Sequence, residues 1–81
     1  RDPTPAQRKA VIARDRHCVG CGAAASACQI HHIRHWGRGG RTDLANLVLA
    51  CWTCHHNLHH NDWAVVRRPD GRYRAGPRHP R

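Results

Sequence analysis

The sequence predicts a small α+β fold, in which an N-terminal helix and a cysteine turn precede a strand–loop–strand–helix unit and a third strand. Two observations support this fold class. Hydrophobic spacing alternates between strand and helix periods along the chain. Two Cys-x-x-Cys units, Cys18 with Cys21 and Cys51 with Cys54, have the spacing of structural zinc ligands. We expect one domain over the 81 residues, with a packed core at about residues 14–68, because the chain is too short for two.

The N-terminal helix is predicted over residues 4–17. Thr4 is a suitable N-cap residue, and Pro5 occupies the first helical position, where its missing amide hydrogen has no cost. Alanines and Val11 form an apolar stripe along this segment.

A strand–loop–strand–helix unit is predicted over residues 28–60. Residues 28–33 fit a short strand, and residues 44–50 fit a second strand or the approach to it. The loop between them contains three glycines, which break regular structure. Residues 52–60 follow helical spacing. This order places the helix against a two-stranded hairpin.

A third strand is predicted over residues 62–68, and the Pro-Asp-Gly turn at residues 69–71 reverses the chain after it. We expect the end of the chain, residues 75–81, to be frayed.

The charge of the chain indicates a nucleic-acid partner. The net charge is +9 with histidine neutral, from thirteen arginines and one lysine against five aspartates and no glutamate. Arginine is suited to bidentate contact with phosphate. No apolar run approaches the roughly 20 residues that a membrane helix needs, and no export signal is visible, so we expect a cytoplasmic protein of a bacterium or phage. The chain lacks an initiator Met, which suggests a fragment or the C-terminal domain of a longer protein.

The cysteines predict a closed structural zinc site. Five cysteines fit poorly with a disulfide framework, whereas two Cys-x-x-Cys units supply four thiolates for a tetrahedral ion. Such an ion would offset the thin core of a chain without Phe or Met. Cys28 is left over, either as a small core residue, which we favour, or as a replacement for one of the four.

The histidines predict a second, open metal site. His55 and His59 are four residues apart, so they share one helix face, and His31 approaches from the strand. Three imidazoles leave coordination positions for water and substrate, as a catalytic metal requires. His32 follows His31 on a strand and therefore points to the other side, where it could act on a water as general base.

The segments "HHIRHWGRGGRTDLANLVLAC" and "CHH" resemble the His-Asn-His (HNH) endonuclease motif of the ββα-metal fold. The likeness spans about residues 14–63 and is closest to HNH domains at the C-terminal end of actinobacterial 13E12-repeat (DUF222-type) proteins. Modification-dependent restriction enzymes carry similar domains. The resemblance implies that His32 is the general base, that Asn46 orients it, and that His55 binds the catalytic metal. It also implies His31 and His59 as further metal ligands.

The same resemblance implies a metal-dependent DNA endonuclease that leaves 5′-phosphate and 3′-hydroxyl ends. A shell of imidazoles is soft, which favours Mn²⁺, Ni²⁺, Co²⁺ or Zn²⁺ over Mg²⁺. The helix would lie along the minor groove and contact mainly the DNA backbone, with little sequence preference. Further domains of a parent chain, and a possible dimer, would add specificity and double-strand cutting. The arginines expected to contact phosphates are Arg34, Arg38, Arg41, Arg67 and Arg68.

Two rival functions share part of this pattern. A non-catalytic, zinc-stabilised DNA-binding module would account for the charge and the cysteines, but not for Asn46 or for the adjacent His31 and His32. A domain that binds a protein partner would use the arginines as a solvated face.

Overall fold

The computed structural model describes residues 2–78 and confirms the predicted α+β fold. Its helices and strands are, in chain order, α1 (Pro5–Asp15), β1 (Cys28–His32), β2 (Leu47–Cys51), α2 (Trp52–His60), β3 (Trp63–Arg67) and β4 (Tyr73–Pro77). Short 3₁₀ turns precede β1 and β2 and interrupt the glycine loop, at Ala25–Ala27, Leu44–Asn46 and Trp36–Arg38.

Thr4 caps helix α1, as its sequence predicts, and Gln7 completes a capping box. The Thr4 hydroxyl accepts a hydrogen bond from the Gln7 amide, and the Gln7 side chain accepts one from the Thr4 amide. The helix ends at Arg16, whose φ of 66° takes the backbone out of the helical region. Val11 is fully buried and fixes α1 to the core.

Strands β1 and β2 form an antiparallel hairpin that carries α2 directly behind it. Cys28 pairs with Cys51 at one end, and His32 with Leu47 at the other. All five residues of β2 are buried, because both α1 and α2 pack against the strand. Of the segment expected as a second strand or the approach to it, residues 44–46 are the approach and the strand begins at Leu47. Residues 44–46 form a 3₁₀ turn, whose Asn46 amide bonds to the Asp43 carbonyl and positions β2.

Strands β3 and β4 form a second antiparallel hairpin, which corrects the expectation of a frayed end from residue 75 onward. Tyr73–Pro77 pairs with β3, and Ala75 is 3% exposed. The Ala75 amide also donates to the Val19 carbonyl at 3.0 Å, which ties β4 to the cysteine turn. Residues 79–81, the remainder of the predicted frayed end, lie outside the described residues.

The core is small and consists partly of cysteine. Leu47 and Leu49 of β2 are fully buried, and Val11 packs against them together with four of the cysteines. Within residues 2–78, no helix has the length and apolar character that crossing a membrane would require.

Candidate metal centres and catalytic cleft

Four cysteines from three segments converge on one point. The cysteine turn supplies Cys18 and Cys21, the end of β2 supplies Cys51, and the first turn of α2 supplies Cys54. Their sulfur atoms all lie within 4.8 Å of one another, so this group could hold a metal ion. The predicted convergence is confirmed. Cys28 lies outside the group, in the core, with its sulfur 3.4 Å from the Ala24 carbonyl oxygen.

The backbone around these sulfurs favours the thiolate form of one of them. The amides of Gly20 and Cys51 both donate to the Cys18 sulfur at 3.3 Å. Burial by itself raises the pKa of Cys18, but backbone hydrogen bonds outweigh burial and lower that pKa to about 6. Burial and the neighbouring sulfurs raise the pKa of Cys54. A cation bound among these sulfurs would favour their thiolate forms, which fits a structural metal.

Gly20 permits the close approach of the cysteine turn to α2. A Cβ atom at this position would lie 2.6 Å from the Cys54 sulfur and 3.3 Å from the Trp63 ring. The glycine between Cys18 and Cys21 therefore lets the turn reach the start of the helix.

A second cluster joins β1 to α2. The ring nitrogens of His31, His55 and His59 lie within 4.8 Å of one another, with the Nε2 atoms of His55 and His59 3.2 Å apart. The His31 ring meets the other two edge-on, with centroids 5.0 and 5.3 Å away. The strand and the i, i+4 helix spacing thus bring together the three histidines that the sequence indicated as one group.

The electrostatics of this cluster suit metal binding. His31 is 8% exposed, and burial together with its histidine neighbours lowers its pKa to about 4. Burial and the neighbouring His59 also lower the pKa of His55. Both rings are therefore neutral near pH 7, the form in which imidazole binds a divalent ion. The residues present thus fit a metal with three protein ligands.

His32 is not part of this three-histidine group, and its ring contacts the glycine loop. Its Nε2 atom lies 3.1 Å from the Thr42 hydroxyl oxygen. The Thr42 carbonyl in turn accepts a hydrogen bond from the Gln7 side chain of α1 at 2.8 Å. Gln7, a member of the capping box of α1, therefore holds the loop segment that contacts His32.

Asn46 fixes the glycine loop. Its side-chain oxygen accepts from the Arg34 amide at 2.8 Å, and its side-chain nitrogen donates to the carbonyls of Arg34 and Arg41 at 3.0 and 2.8 Å. These bonds close the two ends of the loop onto each other. The Asn46 side chain reaches the loop backbone and does not bond to the His32 ring, so any effect on His32 passes through the loop.

The three-histidine cluster and His32 border the same open cleft, which has a volume of about 810 Å³. His31 and His59 line one part of it and His32 another, and Trp63 and Val65 of β3 form an apolar wall. The cleft is also basic, because side chains from the glycine loop and from the end of β4 point into it: Arg34, Arg38 and Arg78.

Two of the five predicted DNA-binding arginines line the cleft, and the other three lie outside it. Arg34 and Arg38 line the cleft, although the Arg34 guanidinium donates to the Arg38 carbonyl at 2.9 Å. Arg41 lies outside the cleft lining and pairs with Asp43 at 3.2 Å. Arg67 and Arg68 lie at the far end of β3.

The sequence did not indicate a functional role for two residues of this region. Thr42 and Arg78 have no spacing relationship to the His/Cys pattern, and Arg78 lies in the segment expected to be frayed. Arg78 lines the cleft and pairs with Asp62 at 2.9 Å. The net charge of the chain was the only signal for Arg78, and nothing in the sequence singled out Thr42.

The sequence of this chain is similar to those of known proteins. The model of the family described as HNH endonuclease matches residues 18–61, more than half of the chain. Uncharacterized proteins of Mycobacterium bovis and Mycobacterium tuberculosis are each 44% identical over 50 residues, covering 59% of this chain and 11% of the relative. Another uncharacterized Mycobacterium tuberculosis protein is 31% identical over 70 residues, covering 84% of this chain and 16% of the relative. The chain thus spans a small part of these relatives. No solved structure gives a significant match.

Proposed function

Because this chain belongs to the HNH endonuclease family, we propose that it is a metal-dependent DNA endonuclease, which hydrolyses phosphodiester bonds to 5′-phosphate and 3′-hydroxyl ends. One observation supports this most strongly. Three imidazoles converge within 4.8 Å, and two of them, His31 and His59, line an open basic cleft that His32 also lines. A purely structural metal site is closed by four protein ligands and does not need an open cleft beside it.

His31, His55 and His59 would hold the catalytic divalent ion, and the four clustered cysteines would hold structural Zn²⁺. When bound, the catalytic ion supplies Lewis-acid stabilisation of the charge that develops on the phosphate and the leaving oxygen. The candidates are Mn²⁺, Ni²⁺, Co²⁺, Zn²⁺ and Mg²⁺, with the softer ions favoured because all three ligands are imidazoles.

His32 is the proposed general base. In the tautomer in which Nε2 donates to the Thr42 hydroxyl oxygen, Nδ1 is unprotonated and accepts a proton from the attacking water. Thr42 then fixes the angle of the ring directly, whereas the resemblance implied that Asn46 orients it. Asn46 keeps the loop that carries Thr42 closed. His55 remains a metal ligand in this scheme.

Arginines position the DNA. Arg34 and Arg38 in the cleft would contact phosphates next to the cut, while α2 lies along the minor groove. Arg41, Arg67 and Arg68 would contact phosphates further away. Phosphate contacts carry no sequence information, so we expect weak sequence preference. Further domains of a longer protein, or a dimer, would add specificity and double-strand cutting.

A plasmid-nicking assay tests the proposal. Wild-type protein should nick supercoiled DNA with a divalent ion and lose this activity with chelator. His32→Ala should bind DNA as wild type does and cut about 10²–10⁴-fold more slowly, the usual contribution of a general base. His56→Ala removes an exposed imidazole from α2 outside both clusters and should cut at the wild-type rate. DNA binding without any nicking would instead support the non-catalytic, zinc-stabilised DNA-binding module.

A further inference from the structure

The β3–β4 hairpin carries a row of arginines on one face. In its antiparallel register Val66 pairs with Arg74, and the Arg68 amide donates to the Arg72 carbonyl at 2.7 Å. Directly paired residues point to the same side of a sheet, so these four side chains share one face. Arg67 pairs with Tyr73 and belongs to the opposite face.

This arginine face borders a pocket of about 200 Å³, which we call the hairpin pocket. From the hairpin it is lined by Arg68, Arg72 and Arg74 together with Tyr73 of the opposite face, and His17 lines it from the segment after α1. None of these residues lines the histidine cleft, so the hairpin pocket is a separate site.

The hairpin pocket has an excess of positive charge. Its acidic residue is Asp15, whose carboxylate lies 2.7 Å from the Arg14 guanidinium and also accepts the Leu49 amide at 3.0 Å. Arg14 is further held over the Tyr73 ring, 4.6 Å from its centroid. Asp15 is therefore already neutralised by Arg14 and leaves the hairpin arginines without a counter-charge.

The hairpin arginines have no partner within the described residues. No hydrogen bond or ion pair is made there by the side chains of Arg68, Arg72 or Arg74. The nearest acid in sequence, Asp70, accepts the backbone amide of Arg72 at 2.9 Å and does not line the pocket. Three unpaired guanidinium groups around a small pocket match an oxyanion with several acceptor oxygens, such as a phosphodiester.

One strand connects this pocket to the cleft. Trp63 and Val65 of β3 line the cleft, and Arg68, just beyond the end of the strand, lines the hairpin pocket. Three to five residue steps along the strand separate these positions, a length of about 10–17 Å. Phosphates on one DNA strand rise about 3.4 Å each along the duplex axis, so this length corresponds to about three to five of them.

We propose that the hairpin pocket binds a backbone phosphate of the same nucleic acid that occupies the histidine cleft, about three to five nucleotides from the β3 wall of the cleft. This inference rests on the proposed nuclease function, since it assigns a second contact to the same substrate. It assigns Arg72 and Arg74 to this contact with Arg68, and leaves out Arg67, which does not line the pocket.

The test is the salt dependence of DNA binding, measured by fluorescence anisotropy without added divalent ion. Each phosphate contact contributes about 0.9 to the slope of log affinity against log salt concentration. The double variant Arg72→Gln/Arg74→Gln should lower this slope by about 0.9. The matched control Arg8→Gln/Lys9→Gln removes the same charge from exposed positions of α1 that line neither site, and should change the slope by less than half as much.

Equal slopes for the two double variants would overturn the proposal. It would also fail if the hairpin variant kept the wild-type slope and lost only binding of inorganic phosphate, because the pocket would then serve a free phosphate. Nicking by the wild-type protein is measured separately. A slope change without nicking would retain the hairpin pocket and remove the nuclease function, whereas nicking without a slope change would do the reverse.

Discussion

The Nε2 atom of His32 lies 3.1 Å from the hydroxyl oxygen of Thr42, and this contact is the hydrogen bond that sets the angle of the proposed general base. The Thr42 backbone is anchored independently, because its carbonyl accepts from the Gln7 side chain. The hydroxyl can therefore be removed without releasing the loop segment.

Thr42→Val should lower kcat about three- to tenfold, which corresponds to the loss of one ordinary hydrogen bond. Thr42→Ser keeps the hydroxyl and should restore most of the rate. Single-turnover nicking and DNA affinity, measured on both variants, separate the two effects. An equal loss of rate in Thr42→Ser, or a loss confined to DNA affinity, would contradict the positioning role of the hydroxyl.

Gly20 gives a test of the packing around the cysteine group. Gly20→Ala would place a Cβ atom 2.6 Å from the Cys54 sulfur, so the turn or the helix must shift. Overpacking of this kind typically costs about 1–3 kcal/mol of unfolding free energy. Gly76→Ala is the matched control, because its Cβ meets nothing within 4 Å. Denaturant unfolding should separate the two variants by more than 1 kcal/mol, and equal stability would refute the account of the turn.

The cysteine group with its metal should contribute more to the free energy of unfolding than any single core contact. Cys51→Ser replaces a thiolate by a poor zinc ligand, and structural zinc contributes about 10–16 kcal/mol in small domains. A small domain has only about 5–15 kcal/mol of stability in total, so the variant should lose zinc and most of its secondary structure. Cys28→Ala lies outside the group and should keep both. The checks are zinc content and circular dichroism; a folded, zinc-free Cys51→Ser protein would contradict the structural role.

The sequence predicts those parts of the fold and the site whose residues are related by a local pattern. Cys18 with Cys21, and His55 with His59, were predictable because ligand spacing and helix periodicity fix their relative positions locally. Their convergence with Cys51 and His31 followed from the order of strand and helix. These are short-range rules, and the structure confirms the geometry that they predict.

The parts that the sequence did not predict depend on tertiary contacts. Strand β4 looked like a frayed tail because Gly76 and Pro77 are poor strand formers, yet pairing with β3 and the bond from Ala75 to Val19 order it. Thr42 contacts His32 only because Asn46 closes the loop between them. Neither relationship has a local pattern, so propensity and spacing could not reveal it.

The ligand set also predicts the metal preference. Three imidazoles form a softer shell than the oxygen ligands that Mg²⁺ prefers. Nicking rates at saturating ion should therefore be higher with Mn²⁺ or Ni²⁺ than with Mg²⁺. Initial rates measured on the zinc-loaded protein, with each ion titrated to saturation, provide the comparison. Equal or faster nicking with Mg²⁺ would be inconsistent with an all-histidine site.

The most direct test of the whole account is stepwise removal of metal from the wild-type protein, followed by circular dichroism, metal analysis and plasmid nicking. Two separate clusters predict two ions per chain that differ in lability. Mild chelation should remove the ion held by the open histidine site, abolish nicking and leave the fold intact, and added Mn²⁺ should restore the activity. Nicking that survives this treatment, or activity and fold that are lost together, would contradict the division between a structural cysteine site and a catalytic histidine site.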